Sequence, residues 1–237
     1  MSTTEQLLLL QEHDTKSDQL RYRKEHLEER GKVEELSAGH AKLLANHTAL
    51  AERRAELERH QRRIEDELAS LQDKKSQSET ALYSGSVKNP RELQALQEEI
   101  DSLKKRESAF EDELLDILAA IEPLDEQLNA AADEVSASQD ALTEAENQLS
   151  IQEAEIDVVL ADVMVLRDET AARLSESQLQ EYESRRRQLG GIAVARLVGN
   201  SCGGCHLQLS AVQLDRIRKM PHDELADCDE CGRLLVH

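Results

Sequence analysis

Residues 82–94 read LYSGSVKNPRELQ, and they are the only place in the first 188 residues where Gly and Pro fall within a few positions of each other. Leu-, Glu- and Gln-rich sequence runs for some eighty residues before this stretch and about a hundred after it. Gly85 allows the positive φ that ends a helix. Asn89 is a good N-cap, Pro90 suits the first helical position, and Glu92 falls where a capping box places its acid. The segment therefore predicts the tip of an antiparallel helical hairpin, with Tyr83, Gly85, Lys88, Asn89, Pro90 and Arg91 forming a tip over 83–90. The two cations there are readable either as partner contacts or as solvated loop residues.

Outward from the tip, the second arm carries the clearest pattern. Alternate steps of three and four from Leu93 reach Leu96, Ile100, Leu103, Glu107, Phe110, Leu114 and Ile117, and continue through Ile156, Val159, Val163 and Leu166. Of 22 such positions 19 are apolar, the exceptions being Glu107, Ser138 and Gln152. A strict seven-residue repeat marks a left-handed coiled-coil seam, and a helix of that length spans roughly 110 Å. Pro123 inside it predicts a kink near the level of Leu50.

The first arm repeats Leu36, Leu43, Leu50, Leu57, Ile64 and Leu71 at sevens, but its companion positions His47, Arg54 and Gln61 are polar. Leu20 and Leu27 belong to another phase, which predicts a stutter or bend near Gly31. Folding about the tip sets Leu7–Leu10 against Val163–Leu166.

Composition agrees with rods rather than one large core. Of 237 residues 33% are charged and only 2% aromatic, with no Trp and one Phe. Periodicity excludes disorder as the reading of the charge content.

The character changes at Arg185-Arg186-Arg187. A β-branched run, IAVARLV (192–198), leads to Gly199-Asn200, which suits a type II′ turn. Then come Cys202-Gly-Gly-Cys205 and Cys228-Asp-Glu-Cys231, and these pairs hold all four cysteines. Two Cys-x-x-Cys knuckles predict one structural Zn²⁺ per chain held by Cys202, Cys205, Cys228 and Cys231. Disulfides, free thiols or a redox dithiol are the alternative readings of the pairs, and His206 or His222 the alternative ligands. The chain shows neither a basic leader before Leu7–Leu10 nor a membrane-spanning run, so a reducing cytoplasm is expected, where disulfides are rare.

With LYSGSVKNPRELQALQEEI at its tip and CGGC…CDECGRLLVH at its end, the chain resembles the bacterial C4-type zinc-ribbon coiled-coil proteins over nearly its whole length. The resemblance implies a mainly α fold, an elongated, kinked antiparallel coiled-coil hairpin over 1–188 with a small C-terminal α+β zinc ribbon over 189–237. It also implies roles in nucleic-acid or protein binding, with some members tied to RNA, sigma factors, secretion or motility.

Charge divides these roles. The net charge is −20. Residues 185–237 hold 8 Lys and Arg against 6 Asp and Glu, which leaves 21 against 43 on residues 1–184. The acidic arms repel nucleic acid, whereas Arg185, Arg186, Arg187, Arg196, Arg216, Arg218 and Lys219 gather near the ribbon. Those seven are the candidates for contact with RNA, DNA or a protein partner, although the arginine run also suits a helix C-terminus.

No nucleophile–base pair or phosphate loop is present, and a non-enzyme is expected. The two readings are a zinc-ribbon nucleic-acid-binding regulator with a coiled-coil spacer, or an adaptor or chaperone that docks transcription, secretion or motility components through tip and ribbon. The chain is expected to be a monomer or a dimer.

Overall fold

The helices form where the sequence supplies start and stop signals. The computed structural model describes residues 2–221 and 224–236. Helix α1 (Thr3–Glu25) opens on a capping box, with the Glu5 amide donating to Ser2 Oγ at 3.3 Å and the Ser2 amide donating to Glu5 Oε2 at 2.9 Å. Helix α2 (Glu28–Tyr83) and helix α3 (Pro90–Ala171) form the hairpin arms, followed by α4 (Glu176–Gln188). The ribbon comprises β1 (Val194–Val198), β2 (Ser201–Cys202), α5 (Ala211–Lys219), β3 (Ala226–Asp227) and β4 (Leu234–Val236). The fold is thus mainly α, an antiparallel coiled-coil hairpin with a small α+β ribbon at its C-terminal end.

The tip shows the expected left-handed Gly85 and Asn89 cap, but Glu92 meets the side chain of Asn89 rather than its backbone amide, so the expected capping box is not completed. Gly85 sits at φ 73°, and the Arg91 amide donates to Asn89 Oδ1 at 3.1 Å. Glu92 accepts from the Asn89 side-chain amide at 3.3 Å.

Two compact units divide the chain: one comprises 1–31 and 146–237, the other 32–145. In the second unit, α2 and α3 pack along the apolar repeats, burying Ile64, Leu71, Ile100, Leu103, Ile117, Leu124, Ala131 and Leu142. Polar companion positions of α2 meet polar residues of α3, two of them the seam exceptions Glu107 and Ser138. Lys75 pairs with Glu107, His40 lies 2.8 Å from Ser138 Oγ, and Arg54 is 2.5 Å from Asp125. Helix α3 continues through Pro123.

These partners correct the simple fold-over register. Reflection about the tip would place Glu98 opposite Lys75 and Asp133 opposite His40, whereas Glu107 and Ser138 stand there. The residues between the arms (84–89) hold no regular secondary structure and rise further per residue than a helix, so α3 begins beyond the end of α2.

In the first unit the expected bend near Gly31 falls earlier. Helix α1 ends at Glu25, and His26–Leu27 separate it from α2, while Gly31 lies inside α2 with open space around it. The His26 amide donates to Tyr22 O, and the two rings stack at 3.9 Å. This break accounts for the two leucine phases: Leu20 and Leu27 pack with Ile156, and the seam restarts beyond them.

The expected meeting of Leu7–Leu10 with Val163–Leu166 does not occur. Leu7, Leu8 and Leu10 instead pack with Tyr182, Ala193, Val194, Leu234 and Val236. The α3 seam also slips here, with Val159 and Leu166 exposed and Leu160 and Arg167 turned inward. A straight helix drifts against a strict heptad, and α4 and the ribbon replace the coiled-coil partner at this level.

The sheet runs β2-β1-β4-β3, with β1 and β4 parallel and the outer pairs antiparallel. Strand alternation divides the apolar residues between its faces. Val194, Leu234 and Val236 face α1 and α4, whereas Ala195 and Leu235 join Leu214 and Ile217 of α5. Glycine 199 has φ 61° and Asn200 keeps a negative φ, as a type II′ turn requires.

Candidate metal centre and its surroundings

Each cysteine pair sits where a strand leads into a tight turn. Cys202 ends β2, and Cys228 directly follows β3. The two turns share a hydrogen-bonding scheme. His206 N–H donates to Cys202 O and Gly232 N–H to Cys228 O, both at 2.8 Å. Leu207 O accepts from the Cys202 amide at 3.0 Å and Arg233 O from the Cys228 amide at 2.8 Å. In each knuckle the residue after the second cysteine adopts a left-handed backbone, Gly232 at φ 72° and His206 at φ 63°. His206 therefore serves the turn. Its ring is outside the thiol cluster, and His222 lies outside the described residues.

The four sulfur atoms lie within 4.8 Å of one another, with Cys202 to Cys231 at 3.9 Å and Cys205 to Cys228 at 4.0 Å. A tetrahedron of thiolates about Zn²⁺, with Zn–S of about 2.3 Å, has edges of roughly 3.8 Å. The donor set fits a structural zinc, which closes the site with four protein ligands and supplies the cross-link that so small a domain lacks.

The surroundings favour the thiolate at Cys231 and disfavour it at Cys205 and Cys228. Burial pushes the Cys228 thiol up to about 12. Burial also raises Cys231, but the amide and guanidinium of Arg233 bring it down to about 7. Arg233 further donates to Ile192 O and Leu189 O, both at 3.0 Å, and so connects the second knuckle with the segment leading from α4 into β1. Gly204 makes room for it: a Cβ there would lie 2.4 Å from Arg233 Cδ.

Beneath the ribbon, α1 supplies a polar clamp. Gln11 Oε1 accepts from the amides of Ala193 and Val194 at 2.6 and 3.2 Å, and its Nε2 donates to Gly191 O at 2.9 Å. Asp14 is 4% exposed and accepts from Tyr182 Oη at 2.7 Å and Arg167 Nε at 3.2 Å, with Arg186 Nε at 3.5 Å. Buried carboxylates require such partners. The same surroundings push Tyr182 well above the usual phenol range, chiefly through burial and then through the Asp14 hydrogen bond.

Most of the candidate basic contacts are held inside the chain. Arg185 donates to Asp227 Oδ1 at 2.6 Å and Gly232 O at 2.7 Å, and Arg186 to Asp18 Oδ2 at 2.6 Å. Arg216 meets Asp229 at 3.3 Å, Arg218 donates to Asn200 at 3.2 Å, and Lys219 meets Asp215 at 2.5 Å. Arg196 is 3.9 Å from Glu12 and largely exposed, and Arg187 is exposed with no ion pair among the described residues. At the tip, Tyr83 is 80% exposed, and Lys88 and Arg91 are exposed without ion pairs among the described residues. No described helix is long and apolar enough to cross a membrane.

Comparison with known proteins places these features in two models. That for the CT398-like coiled coil hairpin domain matches residues 10–190, and that for the C4-type zinc ribbon domain matches residues 201–235. Protein Rv2229c of Mycobacterium tuberculosis is 30% identical over 230 residues, 97% of this chain and 93% of its own. A solved structure from Mycobacterium smegmatis shares the fold with a TM-score of 0.87 at 22% identity, covering 100% of both chains. The structure of CT398 from Chlamydia trachomatis does so with a TM-score of 0.74 at 19% identity, over 98% of this chain and 96% of that one.

Proposed function

The chain belongs to the CT398-like coiled-coil hairpin family and ends in a C4-type zinc ribbon, and from that premise we propose that it is a non-enzymatic adaptor, working in a reducing cytoplasm, that docks a protein partner through its hairpin tip. The observation that carries this reading is the contrast in free charge. Arg185, Arg186, Arg216, Arg218 and Lys219 are already neutralised or hydrogen-bonded within the ribbon and its support, whereas Tyr83, Lys88 and Arg91 stand exposed on an acidic hairpin. An exposed tyrosine beside cations is the residue chemistry of protein contact hot spots. Of the seven candidate cations only Arg187 and the largely exposed Arg196 stand open to nucleic acid among the described residues, and so few contacts weaken its case.

Titration of the full chain with single-stranded RNA, across a salt series, tests the choice. The adaptor reading expects binding no tighter than the micromolar range at low salt and unaffected by replacing Tyr83, Lys88 and Arg91. Nanomolar binding that survives raised salt and is lost in R187Q/R196Q would overturn it.

A further inference from the structure

The outer side of α3 in the first compact unit carries a feature that the coiled-coil seam leaves unused. Ile151, Val158 and Val165 recur every seven residues and are 52%, 64% and 58% exposed. Val158 and Val165 lie opposite the side that buries Ile156, whereas Ile151 also borders a groove that Lys16, Leu20 and Arg23 line from α1. Exposed Ala154 and Ala161 fill the positions three residues after Ile151 and Val158, so the apolar stripe is continuous.

A second row accompanies it. Glu155, Asp162 and Glu169 follow the three branched residues at a spacing of four, which places them on the same face. All three are exposed, and none forms an ion pair or hydrogen bond among the described residues. Their neighbours Glu153 and Asp157, by contrast, turn to Arg30 and Lys24. Glu155 also borders a groove that Lys16 and Arg23 line from α1, whereas Asp162 and Glu169 lie beyond it.

We infer that this face binds a cationic amphipathic helix of a partner protein, with branched or Leu side chains every seven residues and a flanking row of Lys or Arg. Charge selects the occupant. A second copy of this chain would set one row of carboxylates against another, on a protein of net charge −20. A basic helix supplies both the apolar knobs and the missing counter-charges. The stripe from Ile151 to Val165 is roughly 21 Å long, which matches about four turns of partner helix. So short a seam suits a transient contact, with the charges setting its on-rate and orientation. The inference goes beyond docking at the tip and does not depend on it.

The test uses the full zinc-loaded chain and a labelled synthetic 24-residue peptide with Leu at heptad core positions and Lys flanking them. Anisotropy at low salt is expected to show binding that falls at least about tenfold in V158E/V165E and several-fold in E155Q/D162Q/E169Q. A peptide of the same composition, shuffled to remove the repeat, is expected to bind about tenfold more weakly still. Both variants change exposed positions, and unchanged helicity and zinc content confirm that they fold. Absence of peptide binding, equal binding by V158E/V165E, or self-association of the wild type abolished by V158E/V165E would each overturn the inference. Failure here leaves the RNA titration and the tip variants free to decide the adaptor reading separately.

Discussion

His206 holds the position in the first knuckle that Gly232 holds in the second, at nearly the same left-handed φ. A side chain there is strained by about 1 kcal/mol or somewhat more, so H206G is expected to retain one zinc and to be neutral or slightly stabilising in chelator-challenged melts. Loss of metal in H206G would make the imidazole a ligand after all. Tyr182 supplies a pH signature. Folded, its phenol stays protonated well above its ordinary range, while the unfolded chain ionises near about 10. Its contribution is therefore complete below that pH and is lost as pH rises. Wild-type stability should fall above about pH 10 with a component that Y182F lacks, and Y182F should cost on the order of 1–3 kcal/mol at neutral pH by leaving Asp14 short of a donor. Sequence showed the cysteines because their spacing is local. It did not show Gln11, Asp14 or Arg233, whose roles depend on partners that the fold brings from far away: Tyr182 reaches Asp14 across 168 positions and Ala193 reaches Gln11 across 182.

At the scale of elements, the ribbon is fastened to α1 and α4 rather than tethered to them. Strands β1 and β4 present Val194, Leu234 and Val236 to Leu7, Leu8, Leu10 and Tyr182, and Arg233 ties the second knuckle to the end of α4. Zinc removal should therefore loosen more than the ribbon. Hydrogen exchange after chelation, or in C228S, is expected to accelerate in residues 7–20 and 176–188 as well as 194–236, while the seam between Leu36 and Leu142 stays protected. Acceleration confined to the ribbon would show that this packing is not coupled to the metal. Replacement of Arg233 by Gln should raise the zinc off-rate to a chelator about tenfold, with R233K intermediate, because the guanidinium offsets thiolate charge and orients the knuckle. The heptads made both arms legible, and the leucine phase change announced a break. The position of that break depends on the His26–Tyr22 contact, and the register on the tip's extended course, and neither leaves a periodic trace.

For the molecule as a whole, function turns on where free chemistry remains once internal pairing is complete. Charge counts alone pointed to the ribbon, because a linear count cannot distinguish Arg186 bonded to Asp18 from Arg187 open to solvent. Pairing leaves Tyr83 exposed near Lys88 and Arg91 at the tip. Site-specific photo-crosslinking in native cells, with the reactive group at Tyr83 in one variant and at Arg187 in another, addresses the claim directly. A nuclease-resistant protein adduct from position 83, removed by K88E/R91E, is the expected result. Nuclease-sensitive adducts from position 187, with none from position 83, would contradict it.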